Sequence, residues 1–142
     1  MRFYIMAIEW NERLSVGIDE IDNQHKELIN RINKLTDAIE SNKGNLEIKS
    51  TVKFLQDYVV MHFGSEEKIM ESEKYPEFVK HKQIHNDFVS NFKELQNKLA
   101  NDSISQKIID DLNKSVVKWV IKHVCFEDKL IGNHLRKKQI FH

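Results

Sequence analysis

In the stretch KHKQIHNDF, residues 80–88, His81 and His85 stand four apart, so a helix would turn both rings to one face. The same spacing joins His62 to Glu66 in HFGSE, and HVCFED sets acidic residues four and five positions after His123. His25 adds a further imidazole inside IDNQHKEL. Exposed, these side chains would mean little; buried, each needs a partner. Neutral imidazole is a good transition-metal ligand and carboxylates offset a cation's charge, so metal binding is the chemistry this set could perform.

Burial depends on the elements that carry the residues. Turn signals are few: SNKGN at 41–45, KYP at 74–76 and ANDS at 100–103. Between them lie four periodic segments, about 18–40, 46–73, 77–100 and 104–131, with Pro76 at or just before the first turn of the third. Links this short make neighbouring helices antiparallel, and the expected fold is all-α, an up-down-up-down four-helix bundle. Apolar stripes spaced by threes and fours run through each segment. The first passes through Ile21, His25 and Leu28, the second through Val59, His62 and Glu66. The third passes through His81, His85 and Phe88, and the fourth through Trp119, His123, Phe126 and Leu130.

Five of the seven histidines fall in these seams, where scatter over a two-in-seven pattern would put about two. With about 1.5 Å of rise per residue, His25, Glu66, His62, His81, His85 and His123 all lie roughly 6 to 16 Å from the same end of the bundle. They converge on one layer, as sites built between facing helices do. Five histidines with carboxylates exceed what one four-coordinate zinc uses, so two metal ions are the better count.

Other chemistry finds less support. HKQIH lacks the glutamate of a zinc-protease helix, the seams hold no paired Glu-x-x-His, and neither a phosphate loop nor a nucleophile elbow is present. The 142 residues suit one domain, and 22 basic against 22 acidic residues leave no charged block to serve nucleic acid or an anionic membrane surface. The lone Cys125 permits no intrachain disulfide and reads as packing. The opening MRFYIMAIEW is too short for a signal peptide or membrane span, so a cytoplasmic protein is expected.

Four motifs in order, IEWNERLSVGIDEIDNQHKEL at 8–28, HFGSE at 62–66, HKQIH at 81–85 and HVCFED at 123–128, together resemble the single-domain bacterial hemerythrins. The likeness runs from about residue 8 to 131. It implies a non-heme di-iron centre with an oxo or hydroxo bridge that binds O2 reversibly. One iron would take His81, His85 and His123, the other His25 and His62, with Glu66 and Asp128 bridging both. The open position for O2 would be on the iron held by His25 and His62. A regular helix would favour Glu127 as the partner of His123, whereas the family motif selects Asp128, which requires a bulged or overwound turn near 123–128.

Leu28, Val59, Phe88 and Trp119 would form an apolar wall one turn inward, with few proton donors, which favours O2 binding over turnover. The expectation is an O2-binding protein for storage, delivery or sensing, not an enzyme, acting as a monomer with an oxygen-consuming enzyme as its partner. The alternatives are a di-iron enzyme handling peroxide or nitric oxide, and an iron-buffering protein. Residues 1–7 read as an N-terminal extension, with Met1 and Met6 both candidate starts, and 132–142 as a tail; His134 and His142 are expected to face solvent.

Overall fold

A computed structural model of the chain describes residues 8–41, 44–101 and 104–140. Residues 1–7, Asn42 and Lys43 of the SNKGN turn, Asp102 and Ser103 of the ANDS turn, and Phe141 and His142 lie outside it. The helices are α1 (Asp19–Glu40), α2 (Asn45–Ser72), α3 (Phe78–Asn101), α4 (Gln106–Leu112), α5 (Lys118–Cys125) and α6 (Glu127–Ile140). A π turn, Asn113–Val117, joins α4 to α5, so α4 to α6 form one interrupted fourth rod. No strand occurs among the described residues, and the four rods run up, down, up and down as an antiparallel bundle. The fourth rod continues well past residue 131, so most of the expected tail is helical.

The entry to α1 is built by its own first turn. Three acids there, Asp19, Glu20 and Asp22, suit the positive end of the helix dipole, yet Ile18 at the cap offers no side-chain oxygen. Asp22 turns back instead, accepting from Ser15 Oγ at 2.5 Å and from the Val16 amide at 2.9 Å. Gly17 reverses the chain at φ 80°. The loop then lies directly on α6 at Gly132, where an added Cβ would stand 2.9 Å from the Val16 Cα.

At the far end of α2 the chain turns with Lys74 in the left-handed region, φ 52°. The Tyr75 amide donates to Met70 O at 2.8 Å and the Lys74 amide to Glu71 O at 3.2 Å, a Schellman closure. Tyr75 is thereby buried against Met70 and Ile131 in a small apolar cluster. The main core, from Ile48 and Leu99 up to Leu28, Val59, Phe88 and Val124, fills the rest of the bundle. The histidine layer lies between these two apolar bodies, so neither face of it meets bulk water.

The stripes of the first three rods are buried or half-buried throughout. The fourth departs from expectation: Phe126 is 65% and Leu130 56% exposed, while Val120, Val124, Asp128 and Ile131 point inward. The cause is the interrupted ladder. A π turn inserts a residue per turn, and Phe126, at φ −113° and ψ −67°, separates α5 from α6. A period fixed at three and four cannot follow these two phase changes.

Candidate metal centre

All four rods contribute to the layer: His25 comes from α1, His62 and Glu66 from α2, His81 and His85 from α3, His123 from α5, and Asp128 from the first turn of α6. All seven side chains are at most 4% exposed. The break at Phe126 gives the fourth rod its five-residue reach, with Asp128 Oδ1 3.1 Å from His123 Nε2. The bulge is therefore a one-residue break at 126, with the π turn itself farther upstream than the motif suggested. Glu127 lies on the other side of the His123 ring, its side chain a third exposed and 3.8 Å from Nδ1.

The seven residues fall into two overlapping groups. Glu66, His81, His85, His123 and Asp128 can bring one donor atom each within 4.8 Å of one another, and so can His25, His62, Glu66 and Asp128. The two carboxylates belong to both groups and divide their oxygens between them. Asp128 Oδ2 lies 3.0 Å from His25 and 3.8 Å from His62, while Oδ1 lies 3.2 Å from His81. Glu66 Oε1 contacts His62 closely and lies 4.0 Å from His25, while Oε2 is 3.5 Å from His81.

Several donors converge without hydrogen bonds. His62 Nε2, His81 Nε2, both oxygens of Glu66 and Asp128 Oδ1 are buried with no hydrogen-bond partner, a costly state for polar atoms. His85 Nε2 and His123 Nε2 face each other at 2.9 Å. His85 holds its Nδ1 3.0 Å from the Glu67 carboxylate, which only accepts when ionised, so the proton sits on Nδ1 and an Nε2 lone pair points inward. Lone pairs and carboxylate oxygens aimed at shared points are satisfied together by cations.

Without an ion the layer is held by protons. Burial pushes the His62 ring down, but Glu66 and Asp128 outweigh it and bring it up to about 9. His81 likewise rises against its burial to about 9, through Asp128 and Glu66. His25 rises by the same balance. His85 falls to about 3, because burial is joined by the neighbouring His123 and His81. Glu66 and Asp128 are held below the ordinary carboxylate range despite burial, Glu66 mainly by His62 and Asp128 mainly by His123.

Sequence reasoning missed three neighbours of the layer, Phe63, Gln24 and Glu67, while helix spacing had already placed Glu127 beside His123. Phe63 lies flat on His85, ring centres 3.7 Å apart and planes within 2°. Trp119, foreseen in the wall, stacks on His123 at 4.7 Å and on Phe88 at 4.0 Å. Gln24 accepts from His62 Nδ1 at 2.7 Å, its amide nitrogen being committed to Ser65 Oγ at 3.0 Å. With Glu67 and Glu127 it forms the outer contacts of the rings. One signal was available: each is adjacent in sequence to a residue of the layer. His134 also departs from expectation, for it is half-buried, packing edge-on to Tyr75 at 5.3 Å with a buried Nε2. Cys125 is half-buried and burial pushes its thiol up, in keeping with packing.

Comparison with known proteins gives a consistent picture. Residues 16–135 match the model of the hemerythrin HHE cation binding domain. The chain is 35% identical over 111 residues to a bacteriohemerythrin of Methylococcus capsulatus, covering 78% of this chain and 82% of the relative. A bacteriohemerythrin of Pseudomonas aeruginosa is 32% identical over 119 residues, 84% of this chain and 75% of the relative. Among solved structures, a crystal structure of wild-type hemerythrin superposes with a TM-score of 0.77 at 30% identity, covering 90% of this chain and 97% of the other.

Proposed function

Because this chain belongs to the hemerythrin family, we propose that it binds O2 reversibly at a non-heme di-iron centre held by the buried layer. The observation that carries the reading is the division of Glu66 and Asp128 between a three-histidine and a two-histidine group. His81, His85 and His123 would hold one iron, His25 and His62 the other, and the two carboxylates both. Such a centre supplies two electrons that can be lent to O2 and recovered.

The chain's own part is to keep the loan reversible. Glu66 and Asp128 neutralise half the charge of two ferrous ions, which makes them tolerable in an apolar interior. Phe63 packs edge-on to Phe88 and Trp119, Phe88 stacks on Trp119, and Phe63 and Trp119 stack on His85 and His123, so the inner side of the layer is aromatic. Leu28 and Val59, each 1% exposed, continue that wall. The carboxyls next nearest the layer, Glu67 and Glu127, stand behind imidazole rings and not on the inner side. A wall with few proton donors disfavours O–O cleavage and supports binding over turnover. A cytoplasmic store or carrier serving an oxygen-consuming enzyme is the use we favour, and no described helix is long and apolar enough to cross a membrane.

The test is metal content together with the visible spectrum of anaerobically reduced protein, recorded before O2, with O2 and after its removal. Two irons per chain and a charge-transfer band that comes and goes with O2 are expected. One metal, zinc alone, or irreversible oxidation to the ferric state would overturn the reading in favour of an enzyme or an iron buffer.

A further inference from the structure

The outer contacts of the rings are unequal. In the three-histidine group, His85 Nδ1 meets the Glu67 carboxylate at 3.0 Å, while His123 Nδ1 stands 3.8 Å from the Glu127 carboxylate with no hydrogen bond between them. In the two-histidine group, His62 Nδ1 meets only the neutral amide of Gln24, and His25 Nδ1 is buried with no hydrogen-bond partner. A ring that shares its Nδ1 proton with a carboxylate gains imidazolate character and becomes a stronger donor through Nε2; an amide polarises it less.

We propose that Glu67 is a positioning residue that strengthens the three-histidine position, that Gln24 leaves the two-histidine position weaker, and that the two metal ions are therefore taken up and lost in sequence. The ion between His25 and His62 is last in and first out. This rests on the metal reading above but not on reversible O2 binding. The number of histidines already favours the same order, so substitutions that leave this number unchanged carry the test.

Full-length protein loaded with ferrous iron under anaerobic conditions is mixed with a ferrous chelator, and release is followed in time. Two phases of equal amplitude are expected. Glu67→Gln keeps an oxygen that can accept from His85 Nδ1 but removes the charge, and it should speed the slow phase roughly 10- to 100-fold with the fast phase unchanged. Gln24→Glu should slow the fast phase by about tenfold or more, an effect that loosened packing cannot produce. A single phase in the unsubstituted protein, unchanged rates in both variants, or equal acceleration of both phases by Glu67→Gln would overturn the proposal. If Glu67→Gln loses its helical circular dichroism, Gln24→Glu decides alone, and an unslowed fast phase sinks the idea. Sequential release from a protein that O2 oxidises irreversibly would support this inference while refuting the O2 reading; a chain that takes up fewer than two ions refutes both.

Discussion

At the scale of single residues, the wall of the layer makes the sharpest statement. Leu28 follows His25 by three positions on α1 and is 1% exposed in the main core. Leu28→Glu would place a carboxylic acid among apolar side chains beside the site, and burial would favour its protonated form. A proton donor there should speed autoxidation on the order of 10²-fold, with two metals per chain retained. Leu28→Gln, close in shape and without an acidic proton, should change the rate far less, and decay of the O2-dependent band in both variants checks the pair. An oxygenated form as long-lived in Leu28→Glu as in the parent would refute the role given to the wall. Six of the seven residues of the layer were legible in the sequence because buried polar residues in apolar seams are anomalous whatever their partners; Asp128 came only from the family motif, since helix spacing favoured Glu127. Gln24, Glu67 and Phe63 were not legible, because contact with a ring's outer nitrogen or its face depends on ring orientation, which spacing does not encode. His134 was misjudged for a related reason: its burial comes from Tyr75, placed by a turn more than fifty residues away.

At the scale of elements, three of the four rods could be read closely from turn signals and apolar period. The fourth could not. Its phase shifts at Asn113–Val117 and at Phe126 move Phe126 and Leu130 to the surface and bring Asp128 to the layer. No sequence rule marks a π turn; only the requirement that His123 and Asp128 share a face pointed to irregularity. The closure of α2 is a second feature hidden from pattern reading, since the left-handed position after a Schellman turn is usually glycine and here is Lys74, exposed and at φ 52°. A residue with a Cβ pays roughly 1 to 2 kcal/mol in that conformation, partly balanced by the greater unfolded-state freedom glycine would bring. Lys74→Gly should therefore stabilise the chain by about 1 kcal/mol and raise Tm by roughly 3 °C. Thermal melts of the two proteins at one pH check this, and a lower Tm in the variant would show that the Lys74 side chain contributes more than its backbone costs.

At the scale of the whole molecule, the layer ties folding to protons and to metal. In the metal-free chain, His62 and His81 stand at about 9 against 6.5 when unfolded, so their contribution is full below pH 6.5 and is lost as pH rises toward 9. His85, lowered to about 3, works in the opposite direction: the unfolded chain binds its proton first, so stability falls as pH drops below 6.5. Glu66 and Asp128, held below their ordinary range, add to the loss in acid. All these signs place the maximum for the metal-free protein near pH 6.5, with Tm declining on either side. Metal reverses the alkaline limb, because the ions bind only deprotonated rings and must displace the protons on His62 and His81, so metal-dependent stabilisation grows as pH rises from 6.5 to 9. Melting curves of metal-free and metal-loaded protein across pH 5 to 9 should diverge steadily above 6.5. Parallel curves over that range would mean that the protons and the metal do not compete for the same nitrogens, and the layer would then owe its burial to something other than a cation.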